Sequence, residues 1–213
     1  MTEPTGPSSF VSEAYQAEGE AGLLTFYQKW ANNYDAQMLG LGYVSPRHIA
    51  RLLAEHLPAR QSDIFDVGCG TGLTCSYLQE HGYTHLDSVD LSEDMIRVAA
   101  ERGIYRELMV GDVTAPLARD SGSYDAVISS GTFTHGHVGP EPFDEIIRIL
   151  RPGGIFACTV HKDIWETHGF KKKFASLCTR GIMARIEQVQ DVYYEGAEPE
   201  GWFCVYKKLN AAT

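Results

Sequence analysis

Apolar residues first recur at helical spacing after Gly19, where Leu23, Tyr27, Trp30 and Tyr34 fall four, three and four positions apart on one face. A second helix is predicted to begin with Ser45 as its N-cap and Pro46 in its first turn. It runs through Ile49, Leu52, Leu53 and Leu57 and stops at Pro58. Beyond the loop Ala59–Ser62 the pattern alternates between short apolar runs and amphipathic stretches. Strands are predicted near Asp63–Val67, His85–Val89, Ile104–Val110, Tyr124–Ser129 and Ile155–Val160. Helices fall between them, near Leu73–His81, Glu93–Arg102 and Glu141–Leu150. Ser92 is placed to cap the middle helix, with Glu93 and Asp94 in its first turn and Gly103 closing it. The last helix has an apolar face at Phe143, Ile146, Ile147 and Leu150.

Strand and helix in alternation imply an α/β fold, a doubly wound parallel sheet with helices on both faces and ligands at the carboxyl ends of the strands. The final stretches, 181–194 and 202–209, read as two strands around a Gly/Pro turn and are expected to close one edge as an antiparallel pair. A chain of 213 residues without internal repeats is expected to form one domain over 19–213. Residues 1–18, rich in Pro, Ser, Gly and Glu, are expected to be a disordered tail without a part in ligand binding.

Composition narrows the function classes. Hydrophobic content of 44% and charged content of 22% suit a soluble globular protein, with no apolar run long enough to span a bilayer and no signal-like start. Five cysteines without a C-x-x-C pair point to a reduced, cytoplasmic setting. A net charge of −10 weighs against nucleic acid as a partner, since phosphate contacts need clustered Lys and Arg. Small molecules are the favoured substrates, and a monomer or homodimer is expected.

The most informative segment is Asp66-Val67-Gly68-Cys69-Gly70-Thr71-Gly72, between a predicted strand and a predicted helix. Its glycines permit positive φ and let a ligand approach the backbone. A dinucleotide fingerprint would place its third glycine where this chain has Leu73, and Asp66 would repel a pyrophosphate. An acid in front of such a turn suits a ligand carrying an amine or a positive charge, which points to S-adenosylmethionine (SAM). Two more acids follow at successive strand ends. Asp90 lies about twenty residues beyond the turn, the distance for an acid that holds ribose hydroxyls, and Asp112 follows the third strand. Asp112 and Val113 are candidates to meet the adenine amine, and Leu91 and Met95 to pack on the base. Cys69 is expected only to pack within the turn.

These motifs, with Val89-Asp90-Leu91-Ser92, Gly111-Asp112-Val113, Tyr124-Asp125-Ala126-Val127-Ile128-Ser129 and Leu150-Arg151-Pro152-Gly153-Gly154, resemble class I SAM-dependent methyltransferases over residues 20–210. The segments Tyr27-x-x-Trp30-Ala31-x-x-Tyr34-Asp35 and Gly131-Thr132-Phe133-Thr134-His135-Gly136-His137 are similar to small stand-alone enzymes of the ubiquinone/menaquinone-methylase type and the Williams–Beuren-region methyltransferase-like group. The resemblance implies a Rossmann-like seven-stranded sheet with an antiparallel last strand, SAM over the strand ends, and amino-terminal helices folded over it. It implies that the turn cradles the methionyl group with Asp66 near its ammonium, that Ser130 and Gly131 offer backbone groups, and that Tyr27 or Tyr34 reaches the carboxylate. Trp30 is expected to be packing.

The resemblance also implies methyl transfer to O, N or S of a small-molecule acceptor, with S-adenosylhomocysteine as product. His135 is the candidate catalytic residue, as general base or as a hydrogen-bonder shaping the pocket, and both readings stand. No metal is expected, since His135-x-His137 by itself lacks a third ligand and a carboxylate. The acceptor pocket is expected between the amino-terminal helices, the 131–138 segment and a lid over 161–175, with Phe133, Trp165, His168 and Phe170 contributing. A non-catalytic SAM-binding subunit is one alternative. A nicotinamide-dependent oxidoreductase is another, disfavoured by Leu73 and by the lack of a Tyr-x-x-x-Lys pair.

Overall fold

The computed structural model describes residues 19–135 and 138–210; the predicted tail 1–18 and His137 lie outside them. The chain enters through helix α1 (Gly19–Trp30), a 3-10 turn (Ala31–Asn33), α2 (Tyr34–Gly40) and α3 (Ser45–His56). It then alternates through β1 (Asp63–Val67), α4 (Leu73–Glu80), β2 (His85–Asp90), α5 (Glu93–Glu101), β3 (Glu107–Val110), β4 (Tyr124–Phe133), α6 (Phe143–Ile149) and β5 (Leu150–His161). The last elements are α7 (Lys162–Thr167), α8 (Phe170–Thr179), β6 (Met183–Asp191) and β7 (Gly201–Lys208).

One seven-stranded sheet runs in the order β3-β2-β1-β4-β5-β7-β6. β1 pairs in parallel with β2 and β4, and β4 with β5, while β7 is antiparallel to both β5 and β6. The order reverses beside β1, so crossovers leave on opposite faces and open a crevice at the carboxyl ends of β1 and β2. Side-chain alternation divides the core accordingly. Ile64, Ala126, Ile128 and Ala157 pack with Ile49 and Leu53 of α3 and Leu78 of α4. On the other face Phe65, Val67, Val127 and Phe156 pack with Phe143 and Ile146 of α6 and Phe174 of α8.

The predicted elements need four corrections. The amino-terminal stripe is not one helix: it breaks at Ala31–Asn33, and Tyr34 opens α2. Trp30 is buried, and its indole N–H donates to Gln37, which lets the chain turn there. Ser45 is not an N-cap; Val44 holds that position without a side-chain bond, and the Ser45 hydroxyl instead lies 3.4 Å from that of Ser130. The third strand starts at Glu107 rather than Ile104, after Arg106 N–H has bonded Leu86 O at 2.8 Å, and α6 starts at Phe143. Ser92 does cap α5, accepting from Met95 N–H at 3.3 Å.

The fourth correction concerns the 161–175 stretch, which is core and not lid. Phe133, Trp165 and Phe170 are buried. The Phe170 ring centroid lies 5.5 Å from that of Phe133 and 5.8 Å from that of Phe143, and Trp165 stacks on Trp202 at 5.0 Å. Ile164, Trp165, Phe170, Phe174 and Leu177 form the apolar stripe that seats α7 and α8 on the sheet.

At the amino ends of the strands, Asp63 lies between Arg106 (2.7 Å) and Arg151 (3.1 Å). Arg106 also grips Asp87 and Arg151 grips Asp125. Arg106 and Arg151 thus hold their charges at the end of the sheet opposite the crevice. No helix among the described residues is long and apolar enough to cross a membrane.

If Phe170 is core, Phe170→Ala should cost about 3–5 kcal/mol of stability in urea unfolding. A lid residue would leave the unfolding midpoint near wild type, and that result would restore the lid.

Candidate active site

The turn between β1 and α4 shows why its glycines are glycines. Gly68, Gly70 and Gly72 all have positive φ, at 70°, 55° and 83°. A Cβ on Gly68 would overlap the Thr132 hydroxyl, and one on Gly72 would stand 2.8 Å from the Tyr105 hydroxyl. Only at Gly70 is the space open. Gly68 and Gly70 both line the cavity and Gly72 does not, while the missing Cβ at Gly68 and Gly72 makes room for the protein's own side chains.

Partners from five segments hold the turn, among them Ser76 of α4, whose hydroxyl donates to Gly72 O at 3.2 Å, and Thr132 of β4, whose hydroxyl donates to Gly68 O at 3.3 Å. Gly68 N–H and Cys69 N–H donate to Val89 O at 2.9 and 3.2 Å, and Gly70 N–H donates to Asp90 Oδ2 at 2.7 Å. Arg102 donates through Nε to Thr71 O at 2.6 Å, through Nη1 to Ser76 Oγ at 2.8 Å, and through Nη2 to Asp35. The Thr71 hydroxyl donates to Asp35 Oδ1 at 2.6 Å, which ties α2 to the turn.

Over this turn lies a cavity of about 590 Å³ across the ends of β3, β2, β1 and β4, a volume usual for small-molecule sites. Gly68, Cys69, Gly70, Asp90, Leu91, Met95, Asp112 and Val113 form its floor and one wall. Ser130 and Gly131 line it at the end of β4, and Tyr27 and Tyr34 reach it from the amino-terminal helices. Asp90 has a second duty, since Oδ1 accepts Ser92 N–H at 2.9 Å. Asp112 Oδ1 likewise accepts Thr114 N–H at 2.7 Å. Burial raises the Asp90 pKa, opposed by its bonds from Ser92 and Gly70. Burial, then the charges of Asp90 and Asp66, push the Cys69 thiol well above its ordinary range, so it stays protonated.

Thr132 and Val138, within the 131–138 segment expected at the pocket, line the wall, but sequence reasoning missed others: Tyr43 and Pro46 at the entry to α3, and Gly139 and Glu141 beyond β4. Only tertiary packing places them; Glu141, an acid beside Gly139-Pro140, gave the nearest thing to a sequence signal.

Asp66 sits behind the turn, fully buried and outside the cavity wall. Cys75 Sγ–H donates to its Oδ2 at 3.3 Å, and its Oδ1 has no hydrogen-bond partner. Burial raises its pKa to about 7, the Cys75 bond opposing and the charge of Asp90 adding. An orphaned buried carboxylate oxygen behind the turn suits a neighbouring positive charge.

His135 is not among the residues that line the cavity. Its Nε2 stands 3.2 Å from Asp163 Oδ2, and its ring meets that of His161 at 4.3 Å between centroids. His161 is buried; desolvation, then the nearby His135, lower its pKa to about 4. The fold thus gathers two imidazoles and a carboxylate whose ligating atoms all lie within 4.8 Å, a grouping that the spacing of His135 and His137 did not reveal.

Comparison with known proteins agrees with this geometry. Residues 65–158 match the family model of a methyltransferase domain. The chain is 34% identical over 142 residues to human methyltransferase-like protein 27, a match covering 65% of this chain and 58% of that protein. In fold it is similar to Burkholderia thailandensis 1,6-didemethyltoxoflavin-N1-methyltransferase, solved with its acceptor and S-adenosylhomocysteine (TM-score 0.65, 16% identity, 99% of this chain and 93% of that one). It is also similar to a chain in the complex of the Haloferax volcanii Trm112 methyltransferase activator with a methyltransferase (TM-score 0.67, 19% identity, 86% and 98%).

The buried Asp66 makes a pH prediction. Unfolded, its carboxyl ionises near ~3.9; folded, it does so near 7. Across that window the fold keeps a proton that the unfolded chain has lost. The stability tied to this proton is complete below pH ~4 and is lost as the pH rises to about 7. Urea unfolding of wild type and Asp66→Asn should therefore diverge in the variant's favour between pH 4 and 8, by up to ~4 kcal/mol for a shift of this size. A gap that does not change with pH would mean that Asp66 is solvated.

Proposed function

We propose, on the premise that this chain carries a class I SAM-dependent methyltransferase domain, that the protein transfers the methyl group of SAM to a nucleophile on a small-molecule acceptor. The observation that supports this most directly is the single cavity running from Asp112 and Asp90, past the open Gly70, to the β4 end and its tyrosine wall. When bound, SAM supplies a methyl already activated by a sulfonium. In this reading Asp90 holds the ribose hydroxyls and Asp112 the adenine amine, with Leu91, Met95 and Val113 against the base. The turn at Gly70, with Cys69 packed in it, takes the methionyl group, the Asp66 carboxylate balances its ammonium, and Tyr27 or Tyr34 takes its carboxylate. Gly68 and Gly72 act by shaping the turn, and Ser130 and Gly131 close it from the β4 side.

What remains for the protein is alignment and exclusion of water, which contribute up to about 7–11 kcal/mol when orientation is ideal. Gly131 is fixed for this, its N–H donating to Thr159 Oγ1 at 3.1 Å. His135 lies outside the wall with its Nε2 3.2 Å from Asp163, so of its two readings the shaping of the pocket, not the general base, is the one this arrangement supports. Because His135 is absent from the wall, a non-catalytic SAM-binding subunit remains the second reading.

Calorimetry separates these readings. Wild type should bind SAM and S-adenosylhomocysteine, and NADH far more weakly. Asp90→Ala should weaken SAM by roughly 1.5–3 kcal/mol, about ten- to a hundredfold in Kd, with Asp90→Asn as the shape-conserving control. Unchanged affinity, or tighter NADH, would overturn the SAM site. A screen of small metabolites for release of S-adenosylhomocysteine, with mass spectrometry of products, then tests catalysis. Binding without turnover of any acceptor would favour the subunit reading.

A further inference from the structure

We infer that the methyl acceptor is an amine, recognised as a cation by Glu141 and the tyrosine wall at the β4 end of the cavity; the inference rests on the methyl-transfer reading above. The cavity wall is charged with one sign only. Asp90, Asp112 and Glu141 line it, and among the described residues no Lys, Arg or His does. Nor does any described Lys or Arg pair with Asp66, Asp90, Asp112 or Glu141, whereas Arg106 and Arg151 neutralise Asp63, Asp87 and Asp125 at the opposite end of the sheet. A cleft of this kind concentrates cations and repels carboxylates and phosphates.

Place in the sheet separates the acids. Asp90 and Asp112 follow β2 and β3 and belong to the half of the cavity assigned to the nucleoside. Glu141 lies on the far side, after β4, with its carboxylate folded back over Gly139: a Cβ on Gly139 would stand 2.9 Å from Glu141 Oε1. Tyr27, Tyr34 and Tyr43 line the same cavity, and Tyr43 stands at its β4 end, its hydroxyl 3.1 Å from where a Cβ on Gly131 would be. Tyr34 and Tyr43 are buried enough that desolvation holds both hydroxyls protonated, so the tyrosines present neutral rings and no anionic base. Aromatic faces beside one carboxylate make a receptor for an alkylammonium group.

The reaction favours the same choice. The bound ammonium first gives up one proton to water; the neutral amine nitrogen then donates its lone pair to form the N–C bond as the C–S bond breaks, with that electron pair staying on sulfur. Positive charge leaves the sulfonium and arrives on the acceptor nitrogen, and the new ammonium later releases a proton to solvent. Groups that stabilise a cation at the acceptor position therefore act as the charge develops. A hydroxyl acceptor would bring no charge for Glu141 to pair with, and an anionic acceptor would find no described cation in the wall.

The test uses full-length protein saturated with S-adenosylhomocysteine and three one-ring probes, benzylamine (as the ammonium at pH 7), benzyl alcohol and benzoate, followed by calorimetry. Benzylamine should bind at least about tenfold tighter than benzyl alcohol, with benzoate weakest. Glu141→Gln should reduce that preference to within about threefold while S-adenosylhomocysteine affinity stays at wild type, and Glu141→Asp should retain part of it. No saturable benzylamine binding, equal or tighter binding of the alcohol or benzoate, or a preference that survives Glu141→Gln would each overturn the inference. Failure of S-adenosylhomocysteine to bind the wild type would instead remove the methyl-transfer reading on which it stands.

Discussion

The strand-to-helix turn at Gly68–Gly72 is the point on which the other parts of the structure converge. Thr132 from β4 occupies the place of a Cβ on Gly68, and Tyr105 from beyond α5 occupies that of Gly72. Arg102 and Asp35 clasp Thr71 between them. Each neighbour is fixed by the turn, and the turn is fixed by each neighbour. Residues far apart in sequence therefore lose their freedom together, which is how a floor of bare backbone is held open at one position without collapsing.

Charge follows the same axis. Ion pairs at the amino end of the sheet are partly exposed and contribute little stability one by one. Their effect on the site is one of placement, because cations held at that end leave the acids of the carboxyl end unneutralised. Asp66 is the extreme case, a carboxylate with one bond from a thiol and one oxygen orphaned. Such a group costs the fold stability at neutral pH, a conflict between local rules and function that occurs at binding sites.

Much of this was legible in the sequence. Alternating periods located β1, β2, β4, β5 and the antiparallel closing pair, and the acids at 66, 90 and 112 announced the strand ends. What misled was aromatic composition. Phe133, Trp165 and Phe170 looked like pocket lining because they fall near the strand ends, yet the stripe of α7 and α8 turns them into the core. The glycines of the turn carry a second demand that no local pattern encodes: Gly68 and Gly72 leave room for Thr132 and Tyr105.

The boundary between the legible and the illegible follows the division of labour in the cavity. Its half over β2 and β3 is built from strand ends and the residues directly after them, where sequence neighbours are spatial neighbours and motif and geometry coincide. Its half toward β4 is assembled from a helix-linking loop at Tyr43, the last residues of β4 at Thr132 and a turn at Glu141, which meet only because β4 lies beside β1 and α3 packs across both. That half is thus a product of tertiary contact. The loop at Tyr43 and the turn at Glu141 can change residues without disturbing the turn that holds the floor, since the bonds fixing the latter run to β2, α2, α4, the end of α5 and, through the Thr132 hydroxyl, β4.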